Sequence, residues 1–200
     1  QIRIDEVSEE APCGQADLGF GDVTVTTTIP MFKKIRFHSR DSLGFEELEL
    51  PSQTLETVAV WLSPSEQVAE RMKGEGLIVG EGLIGIANVM VEVAQLFVMC
   101  DAQDIGTVVD AASLGRDSLF LYDRYPGGMG YARRCMDCMD RLLRTVLDVV
   151  AECSCEDGCP SCVGAAVPAF AMTDLDSSVR GRIPDKRAAK FLLRAILPAQ

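Results

Sequence analysis

The sequence has a single histidine, His38, among its 200 residues, so a histidine-based triad has one possible member. Positive charge is also scarce. Lys and Arg number 19 against 30 Asp and Glu, a net charge of −11. Strong independent binding to nucleic acid is therefore a poor default, because phosphate affinity needs a local excess of positive charge. No initiator Met and no basic-then-apolar leader precede Gln1-Ile2-Arg3-Ile4-Asp5, which argues against a secretory signal and for a piece of a longer protein. No internal repeat or low-complexity tract occurs. The one long apolar run, Leu77 to Cys100, approaches bilayer-spanning length but contains Glu81, Asn88, Glu92 and Gln95. Their spacing places them in one polar stripe of a mostly buried helix, so no membrane partner is expected.

What is present is ordinary for a folded chain: 48% hydrophobic and 24% charged residues, enough for one large or two small domains. Val23, Val25, Thr27 and Ile29 alternate up to Pro30; Ile35 and Phe37, Leu48 and Leu50, and Val58, Val60 and Leu62 alternate after them. Short strands with turn residues between them predict an antiparallel sheet or small barrel. Ser63-Pro64-Ser65-Glu66 predicts a helix start, with Ser63 as N-cap, ending near Lys73-Gly74. A long helix over 77–99 follows, whose Gly80, Gly82 and Gly85 suit the close approach of another element. Residues 101–117 read as a polar loop with a short helix, and Ser118 to Tyr122 as a buried strand. An amphipathic helix then runs from the Asp123–Gly130 turn to about residue 151, and a last helix from Pro184 to about Leu197, with Asp185 in its first turn.

Eight cysteines are present, four of them in Cys153-Ser-Cys155-Glu-Asp-Gly-Cys159-Pro-Ser-Cys162. Tight turns at Gly158 and Pro160 can bring these thiols onto one centre. A single structural zinc suits four thiolates and leaves no open position for a reacting water. An iron–sulfur cluster also takes four thiolates, and disulfides are the bland alternative, though one strained in so compact a block. Cys135 and Cys138 could supply half a metal site or a redox pair, but free thiols flanking an apolar helix face are the better reading. Cys13 and Cys100 receive no role.

The Asp123–Gly130 turn could offer backbone N–H groups to an anion, or simply reverse the chain with Asp123 as a turn or cap carboxylate. No Lys-Ser or Lys-Thr pair follows it, so it is not a nucleotide-binding P-loop. Asp101, Asp104, Asp110 and Asp123 fit no defensible ligand pattern for a magnesium-dependent nuclease. Two basic strips are candidate nucleic-acid contacts: Lys33, Lys34 and Arg36 beside His38 and Arg40, and Arg180, Arg182, Lys186, Arg187 and Lys190 with Arg194. Each is equally readable as a solvated face.

Leu119-Phe-Leu-Tyr-Asp-Arg-Tyr-Pro-Gly-Gly-Met-Gly130, a helix, and then Cys153 to Gly164 together resemble the C-terminal zinc-binding domain of the mitomycin-repair type of superfamily two DEAD/DEAH-box DNA helicases. Phe32 to His38, Leu96 to Gly106 and Pro184 to Ala189 fit the same resemblance. It implies zinc on Cys153, Cys155, Cys159 and Cys162. It also implies a parent in which two RecA-like lobes hydrolyse ATP and move 3′ to 5′ along single-stranded DNA during repair. The sequence departs from such a parent by containing neither a Gly-Lys-Thr loop nor an Asp-Glu-Ala-His run, so alone it is expected neither to hydrolyse ATP nor to unwind DNA.

The expected fold is α+β. A strand-rich part over 1–62 packs with a mixed helical part over 63–200 that carries the four-cysteine zinc knot. The expected partners are helicase motor domains, in the same chain or separate, and through them single-stranded DNA. The expected setting is the cytoplasm, at the nucleoid. A stand-alone interaction subunit and a metal-dependent nuclease are the alternatives.

Overall fold

Period-two alternation along the first sixty residues builds the central sheet. In the computed structural model, residues 1–39, 41–165 and 183–197 are described. β1 (Ile2–Cys13) and β2 (Ala16–Thr27) form a hairpin, and β2 pairs antiparallel with β5 (Gln53–Pro64). β7 (Ser118–Asp123) adds to β5, and β6 (Ile105–Asp110) closes the other edge. The order is β1-β2-β5-β7-β6, with every pairing antiparallel. β3 (Met31–Ile35) and β4 (Ser42–Glu47) form a separate two-stranded hairpin. The helices are α1 (Glu66–Gly74), α2 (Val79–Val98), α3 (Tyr131–Asp137), α4 (Met139–Glu152) and α5 (Lys186–Ile196). The α+β expectation holds, and the sheet draws strands from both the strand-rich and the helical part.

Successive side chains on a strand face opposite ways, and the two cores follow that rule. Val60, Leu62, Leu119 and Leu121 face the helices and join the main core. Ala59, Trp61 and Phe120 face the other side with Ile2, Val23 and Val25. α2 runs through the main core. It is long and apolar enough to cross a bilayer, but 67% of its apolar stretch is buried within the protein. Its glycines do admit a neighbour: a Cβ on Gly82 would stand 3.0 Å from the Ala188 carbonyl oxygen of α5. A Cβ on Gly85 would press on Ala189 and Val163 at 3.3 Å. α2 is thereby packed against both α5 and the end of the cysteine block.

Several local expectations are corrected. The first helix is capped by Ser65, whose hydroxyl accepts from the Val68 N–H, while Ser63 stays in β5 with its hydroxyl bonded to that of Ser118. Pro64 ends a strand rather than opening a helix. The stretch 101–117 holds β6, a strand hidden by polar flanks. The amphipathic helix breaks at Cys138 into α3 and α4. Leu48 and Leu50 lie beyond β4, and β1 is a strand that the alternation does not announce.

Candidate metal centre

α4 delivers the cysteine block. Its last residue is Glu152, and Cys153 takes an extended conformation that turns the chain out of the helix. Gly158 then adopts φ 125°, a left-handed region where a Cβ would strike Val163 and the Pro184 carbonyl at 2.8 and 2.9 Å. The Cys162 and Val163 N–H groups both donate to the Cys159 carbonyl at 3.1 Å, forming a tight turn that sends Cys162 back towards Cys155.

The four sulfurs meet. Sγ–Sγ distances are 3.6 Å for Cys153–Cys155, 3.7 Å for Cys153–Cys159, 3.4 Å for Cys155–Cys162 and 3.7 Å for Cys159–Cys162. All four lie within 4.8 Å of one another. A disulfide requires about 2.05 Å, so none is formed. Four sulfurs arranged tetrahedrally at about 2.3 Å from one zinc stand about 3.8 Å apart, close to what is seen. An iron–sulfur cluster places its thiolates on different irons with sulfides between, which needs a wider quartet. The donor set fits one ion of zinc's size and softness. Among the described residues it is the one grouping of three or more Cys, His, Asp or Glu side chains close enough to hold an ion.

The thiols are not equivalent. Cys159 is held below the usual thiol range, chiefly by the Ser161 backbone N–H and then by hydrogen bonds from Cys153 and Cys162. Cys162 is pushed up by its burial.

The neighbour that sequence reasoning misplaced is Lys186. The basic pattern puts it among the phosphate contacts, but only 6% of it is exposed, and its ammonium donates to the Cys153 and Cys155 carbonyls at 2.6 and 2.7 Å. Cys155 Sγ lies 3.6 Å away. No carboxylate among the described residues forms an ion pair with it. A buried ammonium without a counter-charge is costly. Four thiolates on a divalent ion would carry a net −2, which would supply that counter-charge and itself be partly offset by the lysine. Lys186 thus fastens the start of α5 to the knot, and its backbone N–H reinforces this by donating to the Asp157 carbonyl at 3.1 Å. Lys186→Met is expected to weaken zinc about 10- to 100-fold, read by competition with a chromophoric chelator while the circular dichroism spectrum stays native. Unchanged affinity would remove the lysine from the account.

The other sequence candidates separate cleanly. Asp123 is fully buried, and its carboxylate accepts four backbone N–H groups, those of Met129, Gly130, Tyr131 and Ala132, at 2.5 to 3.2 Å. The turn's amides are therefore consumed by an internal anion, and Asp123 is a cap carboxylate. Asp104 accepts from the Tyr125 hydroxyl and the Asp101 N–H; Asp110 caps Ala112 and Ser113. Cys135 is a fully buried thiol whose pKa burial pushes up to about 12. Cys138 donates to the Arg134 carbonyl at the break between α3 and α4. Neither belongs to the quartet.

Of the basic strips, Lys33 and Lys34 lie on β3, with the Lys34 ammonium paired to Glu46. Arg36 and His38 are exposed in the turn that follows. Arg180 and Arg182 lie outside the described residues. Arg187, Lys190 and Arg194 line a surface groove on α5, joined by Arg71 of α1, which no sequence pattern links to them.

Comparison with known proteins agrees with this geometry. Residues 86–163 match the family described as the MrfA Zn-binding domain. YprA of Bacillus subtilis (strain 168), described as an uncharacterized ATP-dependent helicase, is 32% identical over 169 residues, 84% of this chain and 22% of YprA. The uncharacterized protein MJ1572.1 of Methanocaldococcus jannaschii is 29% identical over 83 residues, 39% of this chain and 74% of that protein. The crystal structure of the DUF1998 helicase MrfA bound to DNA superposes with a TM-score of 0.65 at 28% identity, covering 98% of this chain and 24% of the helicase. The chain thus spans under a quarter of the length of either helicase.

Proposed function

We propose that this chain, in which residues 86–163 are an MrfA Zn-binding domain homologous to part of the MrfA and YprA helicases, is the accessory portion of an ATP-dependent DNA helicase. In this reading the parent moves 3′ to 5′ along single-stranded DNA, acts in DNA repair, and works in the cytoplasm at the nucleoid. Cys153, Cys155, Cys159 and Cys162 hold one structural zinc. The observation that carries the reading is the quartet's spacing, 3.4 to 3.7 Å between neighbouring sulfurs, within a stretch matched to a zinc-binding family.

Such an ion supplies cross-linking without chemistry, since all four of its positions are taken by protein. The chain's own residues do the remaining work. The cysteines fix the end of α4, Lys186 ties α5 to them, and Asn88 of α2 donates to the Val163 carbonyl at 2.9 Å. Three helices are thereby held in one arrangement, a rigid body against which motor domains can guide a strand.

The test is made in the full-length parent. Wild-type protein is expected to unwind a 3′-tailed duplex, and Cys159→Ser to lose zinc and most unwinding while retaining basal ATP hydrolysis. Full unwinding by a zinc-free variant would contradict the reading. A second reading, a subunit serving a separately encoded motor, is favoured by one fact: the match to MJ1572.1 covers 74% of that protein, so much of this unit exists there in a protein not much longer than the match. The reading frame that encodes this chain separates the two.

A further inference from the structure

In a chain with 30 carboxylates and 19 basic groups, some cations find a carboxylate partner among the described residues. Arg3, Lys34, Arg116, Arg133 and Arg144 all do. Arg71, Arg187, Lys190 and Arg194 form no ion pair among the described residues, and yet these four converge on one groove between α1 and α5. Glu75 is the one acid that lines it. Holding like charges together costs free energy unless an anion arrives to offset them.

The groove's shape narrows the choice of anion. Arg187, Lys190 and Arg194 recur at spacings of three and four on one helix face, so they extend positive charge over about 10 Å, longer than a single small anion needs. Phe191 lies between them, and the Arg71 guanidinium stands 5.6 Å from its ring centroid. Cations interleaved with an aromatic face form the combination that tracks a phosphate backbone while a base stacks. The opposite side of α5 is buried: Ala188, Ala189, Leu192 and Leu193 sit in the main core. Lys186 anchors the helix start to the cysteine knot, so this wall of the groove is fixed before anything binds.

We propose that the groove formed by Arg71, Arg187, Lys190, Phe191 and Arg194 is a contact site for single-stranded nucleic acid. The choice of a nucleic acid strand over an acidic peptide rests in part on the helicase reading above.

The experiment uses the zinc-loaded chain and a fluorescent oligo-dT, followed by anisotropy across a salt series. Wild-type protein is expected to bind at low salt, with affinity falling steeply as salt rises. Arg187→Glu, Lys190→Glu and Arg194→Glu together are expected to weaken binding more than tenfold at low salt. They should also flatten the salt slope by about 2, since each phosphate left without its cation removes about 0.7 from it. Should the triple variant fail to fold, Arg194→Glu alone is expected to flatten the slope by about 0.7, with zinc content and melting unchanged. Lys34→Glu, on the separate hairpin, should leave binding as it was. No binding by wild type, undiminished binding by the variants, or displacement of the oligonucleotide by polyglutamate at equal charge would each overturn the assignment. Those failures leave zinc-dependent unwinding by the parent untouched. Loss of the helicase reading alone, with the slope change observed, leaves the groove standing.

Discussion

Cys159→Ser is expected to emerge from purification without metal, with a thermal midpoint lowered by about 10 °C or more and a strong tendency to aggregate. Structural zinc contributes about 10–16 kcal/mol of apparent binding energy in small zinc-binding peptides, comparable to the whole stability of a domain, and that energy is coupled to folding. Here the coupling has a visible route. Cys162 and Val163 are buried in the main core beside Ala188, Leu192 and Leu193 of α5. Without the ion, Lys186 keeps a buried charge but loses the dianion that offsets it, so α5 should loosen first. Amide exchange followed by mass spectrometry is expected to show protection lost over 186–196 before it is lost over β2 and β5. A variant that keeps native melting with no metal bound would contradict a structural role.

Asp123→Ala is the second large effect, and it involves no metal. Its carboxylate satisfies four backbone N–H groups at the start of α3 from a fully buried position, and removal leaves those donors without partners. An unsatisfied buried donor costs about 1–3 kcal/mol. The Ala132 N–H is buried, while Met129 is exposed and Gly130 and Tyr131 are half-buried and open to water, so the variant should lose about 2–4 kcal/mol, or about 5–10 °C in melting temperature. Asp123→Asn should cost less than Asp123→Ala but remain destabilising, because its amide oxygen can still accept the three N–H groups that meet one carboxylate oxygen, while its NH2 faces the Ala132 N–H as donor to donor. Zinc content should remain at one equivalent in both. If Asp123 instead served a nuclease, both variants would melt like wild type and lose only cleavage; such a result would reverse the assignment.

How far the sequence discloses all this depends on whether a signal is local. Cys153, Cys155, Cys159 and Cys162 sit within ten residues with Gly158 and Pro160 among them, so their convergence is readable from the chain alone. The strand at Ser118 and the cap role of Asp123 are readable for the same reason. Lys186 is not, since a lysine opening an amphipathic helix looks like any solvated cation; only the fold reveals that carbonyls from Cys153 and Cys155 surround it.

β1 is hidden because it is an edge strand. Its middle, Asp5 to Glu10, is exposed and rich in Glu, the pattern that discourages stray pairing at a sheet edge, while Ile2 and Cys13 at its ends are buried. β6 is masked by the polar residues around Ile105-Gly-Thr-Val-Val-Asp110. Ser63 reads as a cap because Pro64 suits the first turn of a helix and also the end of a strand. The α1–α5 groove joins residues far apart in the chain, which no local pattern can announce.

The central claim is that four cysteines grip one zinc ion. X-ray absorption at the zinc edge, on protein purified without added metal and quantified for zinc, tests it most directly. One equivalent with four sulfur neighbours at about 2.3 Å is the expected result. Nitrogen or oxygen in the shell, iron in place of zinc, or metal retained undiminished after Cys159→Ser would contradict it.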